Sequence, residues 1–533
     1  GSVPSRDQAQ SVIRRVVAVS KAESVQVAVG GGYTSNVRFA ANQMSTSGGV
    51  ADMFIQVTSS FGPKSAILVT NNDSEESLRR TVEQSEALAR LAPDNPEAMP
   101  NLGPQQIRDV NAWVPATADA TAEARARVAM TALGPARAAD DLRVAGFLTV
   151  NASSNALGNK EGLFAYHRAT SANYTVTART TDGTGSGWAG AEHPDWQQLD
   201  FEGVSRRAID KARQSRKPVA IEPGRYTVIL EPQAVGDLVQ LMGFYGDARS
   251  ADEGRSPFTK QGGGNRVGEK IVDQRINIFA DPFDPRVLAQ AWDGDGLPLG
   301  RQEFVKNGVL NELYYTRFWA KKQGKEATGA PTSFIMEGTG PTQTVEEMIA
   351  STPRGVLVTR LWYLREVDPR TILYTGLTRD GTFLIENGKI SRSIKNMRFN
   401  ESPMFMLNNL EAVGRPVRLA GTEAGGAVVV PAIKVSDFNF TSLSDAVWSG
   451  SSSMTARRPA TSVCSWSRRR SSCSLRSPTA LLVTSRRRSS TPSTVWVVLA
   501  RSRLRRRVSG FRSRTGMPRS RHPSPLRALP PRH

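Results

Sequence analysis

Residues 231–242 read EPQAVGDLVQLM, and this stretch decides how the second half of the chain is read. Ala234, Val235, Leu238, Leu241, Met242 and, just beyond, Tyr245 recur at helical spacing and would cover one core face. Pro232 falls in the first turn, where its missing N–H costs nothing. The polar positions are more telling. A zinc peptidase needs about three protein ligands drawn from His, Cys and carboxylates, and a carboxylate to take a proton from bound water. Among Pro232, Gln233 and Asp237, the proline has no donor atom, the glutamine is a neutral amide, and only the aspartate keeps ligand capacity.

Upstream, residues 7–30 begin with a helical pattern (Val12, Ile13, Val16, Val17) and pass into SVQVAVG, whose alternation is that of a strand. VRFAANQMSTSGGVADMFIQVTSS, SAILVTNN, FLTVNASSNA and LFAYHRATSANYTVTART add strand candidates. SEESLRRTVEQSEALARLA is a helix with Asn72 or Ser74 as N-cap, and TAEARARVAMTALGPARAADDLRVAG is a helix expected to break near Gly134 and Pro135. FEGVSRRAIDKARQSRKP is a further helix ended by Pro218. Beyond it, apart from the quoted helix and one at TVEEMIASTP, short strands are punctuated by DGDG, KNGV, RDGT and ENGK, pairs that supply the positive φ angles of tight hairpins. The expected class is α+β: an α/β N-terminal domain (1–218), a mainly antiparallel, barrel-like β C-terminal domain (219–448), and an Arg/Ser-rich tail (449–533) expected to be disordered or an artefact.

The 533 residues carry a net charge of +20, but residues 449–533 hold 20 Arg and no Lys, Asp or Glu, so residues 1–448 balance 49 basic against 49 acidic side chains. A polyanion partner is therefore not expected for the body, and nucleic acid is an unfavoured partner. Both cysteines, Cys464 and Cys473, and two of the four histidines, His522 and His533, lie in the tail. The opening residues lack the basic and apolar regions of a secretory signal, and no apolar run reaches the ~18 residues of a membrane span, so a cytoplasmic protein without membrane contact is expected.

From Arg38 to Val447 the chain resembles the TldD/PmbA family, the group once called modulators of DNA gyrase. The resemblance is carried by VRFAANQ (37–43), EGLFAYHR (161–168), VILEPQAVGDLV (228–239), WDGDGLPLG (292–300), FLIENGKI (383–390) and VVVPAIKVSDFNF (428–440), in order and spacing. In the catalytic TldD branch the resemblance implies a helix with His-Glu-x-x-x-His and a cysteine near the C-terminus as zinc ligands. Here those helix positions read Pro232, Gln233 and Asp237, and the neighbourhood of the cysteine, GRPVRLAGTEAGGAVVVPAIKV, has neither Cys nor His. A five-residue His spacing turns about 140° off-face on a regular helix, and Gly236 is where a retained distortion is expected. The chain thus resembles the PmbA (TldE) branch. That implies no catalytic residues and no metal in this chain, zinc in a TldD-like partner subunit, and small or unfolded peptides as substrates.

Outside the helix, His167, Trp362, Tyr363 and Arg365 are candidate peptide-binding residues, the last three from WYLREVDPR; the plainer reading is a strand histidine and a strand pair with surface charges. Asp237 with Asp293 or Asp295 would suit a hard cation, although DGDG reads first as a turn. GGG (30–32) and QGGGNRVG (261–268) lack phosphate-loop spacing. Two other functions stay open at this point: a peptidase active alone through an unrecognised metal site, and a nucleic-acid-binding protein acting through the tail.

Overall fold

The computed structural model describes residues 3–444 except Ala138 and 422–426; the expectation for residues 449–533 lies outside the described residues. The chain folds as α+β.

The first sheet contains β1 (Ser24–Ala40), β2 (Gln43–Phe61), β3 (Lys64–Thr70), β4 (Leu142–Asn159), β5 (Phe164–Thr180) and β6 (Ser186–His193), in the order β3-β2-β1-β4-β5-β6. Every neighbouring pair is antiparallel. Its helices are α1 (Arg6–Val19), α2 (Glu75–Leu91), the single turn α3 (Pro115–Ala118), α4 (Ala122–Arg137) and α5 (Phe201–Gln214). Ser5 and Gln8 form a capping box that starts α1, and Val12, Ile13 and Val16 are buried with Val25, Val27 and Val29 of β1. Ser74 is the N-cap of α2, while Asn72 accepts from the Ser74 N–H, so both predicted residues act at that terminus. The break expected at Gly134–Pro135 does not occur: α4 runs through both to Arg137. Pro135 sits in the last turn, where it forfeits one backbone bond instead of interrupting a ladder.

Two features escaped the sequence reading. The β1–β2 turn is Ala41–Asn42, with φ of 48° and 63°, and Asn42 is clamped to β4 by bonds with Val144 N and Leu142 O of 2.7 and 3.0 Å. Strand β6 has a weak local pattern because it is glycine-rich: a Cβ at Gly187 would stand 2.2 Å from the Ala208 carbonyl oxygen of α5, so glycine is what lets that helix approach.

The helices cover one face of this sheet. On the other, the middle of β1, β4 and β5 carries Thr34, Asn36, Thr149, Asn151, Ser153 and Ser171, all uncharged. Strand β3 pairs only with Ile55–Phe61 of β2, so among the described residues the edge at 43–54 has no neighbouring strand.

The rest of the chain supplies β7 (Gly224–Leu230), the quoted helix α6 (Pro232–Val239), β8 (Ile276–Ala280), β9 (Gln302–Lys306), β10 (Val309–Leu310), β11 (Ser333–Gly338), β12 (Arg354–Val358), β13 (Leu361–Asp368), β14 (Leu373–Thr378), β15 (Thr382–Glu386), β16 (Lys389–Ser393), β17 (Met397–Glu401), β18 (Leu410–Val413), β19 (Val417–Arg418), β20 (Ala427–Val430) and β21 (Ile433–Leu443). They form two sheets, β10-β9-β8-β11-β20-β19 and β13-β14-β17-β21-β7-β12-β15-β16, with β18 paired to β21. Among the described strand pairs of these two sheets, only β7–β12 and β11–β20 are parallel. Asn307–Gly308 and Asn387–Gly388 turn the expected hairpins, both residues of each pair at positive φ. Asp380–Gly381 is also left-handed but joins β14 to β15, strands that do not pair, and DGDG is a turn in which Asp293 accepts from the N–H of Asp295 and Leu297. No described helix is long and apolar enough to cross a membrane.

Candidate functional site

The helix α6 grows directly out of a central strand. The Glu231 N–H donates to Val358 O at 3.0 Å, extending the β7–β12 ladder by one bond, and the Val235 N–H already closes a helical turn on Glu231 O. Glu231 caps nothing with its side chain; its carboxylate instead pairs with Lys211 of α5. Ala234, Val235, Leu238 and Val239 have no exposed surface, and Leu241 and Met242 are buried with them. Tyr245 is half-buried and donates to Glu366, so the predicted apolar face is the observed one. The distortion expected at Gly236 is not there: α6 is regular through Val239 and tightens to a 3-10 helix only from Gln240 to Tyr245.

Asp237 is 4% exposed. Gln233 lies one turn before it, and its side-chain amide nitrogen donates twice, to Asp237 Oδ1 at 3.2 Å and to Gly421 O at 2.9 Å. Both partners can only accept, so the NH₂ end of the amide must face them. Gly421 belongs to the segment 414–435, so the two stretches in which the resemblance implies ligands for the catalytic branch meet here through an amide. Residues 422–426, including Glu423, lie outside the described residues.

That segment is held from its other side by the first sheet. Asn173 of β5 donates to Ala420 O, and Arg418 pairs with Glu192 of β6 at 2.8 Å, both partners being mostly buried. Arg418 also donates to Arg286 O and Val287 O. None of these residues was singled out by the sequence: Glu192 and Arg418 are 226 positions apart, and no local pattern links them.

Zinc fits this arrangement poorly. Proline offers no donor, the amide at 233 presents N–H groups where a metal needs lone pairs, and the one carboxylate is engaged by them. Among the described residues no group of three or more His, Cys, Asp or Glu side chains stands close enough to hold a metal ion, and Asp293 is tied into its own turn.

The other predicted residues do not gather at α6. His167 lies on the face of the first sheet away from the helices, opposite Asn155 of β4, and burial holds its imidazole below the usual pKa. Trp362 and Tyr363 line a separate cleft of about 260 Å³ that also includes Arg179, Ser186, Arg379 and Asp380. Tyr363 has φ +58° at an irregularity of β13, a conformation a bulky residue rarely adopts. Arg365 is outside that cleft; its Nη1 donates to Leu364 O, and its guanidinium lies over the Tyr363 ring. The sequence reading missed the group that organises this cleft. Asp380, 5% exposed, pairs with Arg360 at 3.2 Å and accepts from Ser186 Oγ at 2.6 Å. Arg360 stacks between Trp188 of β6 and Trp362 at 4.4 and 5.0 Å. RDGT had been read as a turn only.

The PmbA/TldA metallopeptidase central domain matches residues 115–216, and the PmbA/TldA metallopeptidase C-terminal domain matches residues 223–442. A metalloprotease of Methanothermobacter thermautotrophicus is 25% identical over 293 residues, 50% of this chain and 61% of that protein. Metalloprotease PmbA of Escherichia coli O157:H7 is 24% identical over 173 residues, 32% of this chain and 37% of that protein. The matches therefore span less than two thirds of these relatives' lengths. In fold, the chain is similar to TldE of Thermococcus kodakarensis (TM-score 0.71, 18% identity, covering 81% of this chain and 99% of that one). It is similar also to a candidate modulator of a DNA gyrase from Thermotoga maritima (TM-score 0.72, 16% identity, 81% and 100%).

Proposed function

The chain belongs to the PmbA/TldD metallopeptidase family, and from that premise we propose that it is a non-catalytic, TldE/PmbA-like subunit, pairing with a zinc-bearing TldD-type subunit in a heteromeric peptidase acting on small or unfolded peptides in the cytoplasm. The observation that carries the reading is the amide of Gln233, whose two protons bind Asp237 and Gly421. A general base must accept a proton, and this group donates both of its own. The helix keeps its buried face and its link to β7, so the fold around the position is preserved while the chemistry is not.

The test is co-expression with a family member carrying His-Glu-x-x-x-His. The expected outcome is a stable complex that cleaves an unfolded peptide and loses that activity with a chelator, while this chain alone shows neither cleavage nor stoichiometric zinc. Chelator-sensitive cleavage by the isolated chain would sink the proposal.

A further inference from the structure

A cleft of about 550 Å³ opens at the start of β7, among residues of β14, β17, β21 and the short helix Pro403–Asn408. That volume falls within the roughly 300–1,000 Å³ of ligand pockets. Helix α6 leaves the other end of the same strand: from Arg225, which lines the cleft, to Leu230 is roughly 17 Å at the usual strand rise, so the two sites are separate. Three arginines, Arg225, Arg266 and Arg370, line the cleft, and among the described residues around it the one acid is Glu401. Three of its features select an anion carried on an apolar body.

First, the arginines are not spent on carboxylates. Among the described residues Arg225 and Arg370 stand in no ion pair; Arg225 Nη1 donates to the backbone oxygen of Asp437 at 3.0 Å. Arg266 pairs with Glu269 at 2.9 Å, but Lys260 approaches the same carboxylate at 3.6 Å. In the Trp362 cleft, by contrast, Arg360 and Arg379 both face Asp380. Within a body whose acids and bases balance, the cleft at β7 is a local excess of positive charge. Second, Phe405 lines the cleft and is 45% exposed although it is large and apolar, and the Arg225 guanidinium lies over its ring at 5.6 Å. A guanidinium beside an aromatic ring offers charge and a flat apolar surface to one ligand. Third, Glu401 is buried, with Arg225 and Asp437 as its charged neighbours, and burial holds its carboxyl neutral to about pH 7. Below that pH it carries no charge to oppose an anion.

We propose that this cleft binds a small organic dianion, phosphate or sulfonate groups carried on a flat apolar ring: the guanidinium groups of Arg225 and Arg370 pair with the anionic oxygens, and Phe405 packs against the ring. The geometry of phosphate and sulfonate oxygens suits the planar fork of arginine. This site stands apart from the subunit role proposed above and does not depend on it.

The test is isothermal titration of the full chain alone with a naphthalene disulfonate, whose charge does not change between pH 6 and pH 8. A saturable one-to-one site is expected, weakened by added salt. Arg370→Ala should weaken it about tenfold, the cost of one charge-assisted contact. Phe405→Ala should weaken it about fivefold through the lost ring contact, while Arg354→Ala, at an exposed arginine of β12 away from the cleft, leaves it unchanged. Binding should be tighter at pH 6 than at pH 8, and Glu401→Gln should remove that difference. Arg370 and Phe405 are exposed, and thermal melts establish that the variants fold. Affinity unmoved by Arg370→Ala and Phe405→Ala would assign the dianion to the arginines of residues 449–533 and overturn the proposal, as would inorganic sulfate binding as tightly as the disulfonate. Because no partner subunit is present, either outcome leaves the heteromeric reading untouched.

Discussion

The α6 site and the helix-free face of the first sheet treat polar groups differently. At α6 the polar side chains are answered from within: Gln233 by Asp237 and Gly421, Glu231 by Lys211. On the sheet face, Thr149, Asn151 and Ser153 lie at or near the surface, and the Trp292 N–H beside it is left unanswered. Hydrogen bonds that close on themselves leave those groups fewer free donors and acceptors; an exposed polar face keeps more of its own.

Gln233→Glu attacks the comparison hardest. It would set a second carboxylate against buried Asp237 and the Gly421 carbonyl, in place of the amide N–H groups that now donate to both. We expect a loss of about 4 kcal/mol at pH 8 in urea denaturation, relieved at low pH or by a divalent cation such as Mn²⁺. A loss under about 1 kcal/mol would show that water already enters the site. Leu238→Ala, at a position with no exposed surface, should cost about 3 kcal/mol by the same assay through the cavity it leaves.

Glu401 sharpens the contrast from another direction, as a buried carboxylate answered by backbone alone. It is 3% exposed, accepts from Ser402 N and Asn439 N, and burial pushes its pKa up to about 7, with Arg225 opposing and Asp437 adding to the rise. A carboxyl whose folded pKa exceeds its unfolded value of about 4.5 binds more protons when folded, so its contribution to stability is greatest below pH 4.5 and is lost as pH rises through 7. Between those limits the change should approach about 3 kcal/mol, and Glu401→Gln should flatten that part of the stability–pH curve. Smallest of all, Thr149→Val on the sheet face should alter stability by no more than about 0.5 kcal/mol.

How much of this was legible depended on the range of the interactions. The face of α6, the caps at Ser5 and Ser74 and the hairpins at Asn307 and Asn387 follow from residues within a few positions of one another, and their patterns could be read directly. Substitution at Pro232, Gln233 and Asp237 was equally plain, but what Gln233 does with its protons was not, because Gly421 is 188 residues away. Strand β6 and the Asp380 cluster were hidden for the same reason: glycines that only make sense once α5 lies over them, and a turn aspartate whose partners, Ser186 and Arg360, come from two different sheets' surroundings. His167 was legible as a strand residue, while its neighbourhood with Asn155 depended on register.

The bare edge of β2 has a consequence of a different kind. Residues 43–54, QMSTSGGVADMF, contain one charge, Asp52, and no proline. Soluble proteins commonly guard such edges with lysines, prolines or bulges, since an unguarded strand templates the addition of another. Another chain would add at this edge first: we expect turbidity to rise with concentration while the protein is still folded, and Val50→Lys, at an exposed edge position, to reduce it in a light-scattering assay.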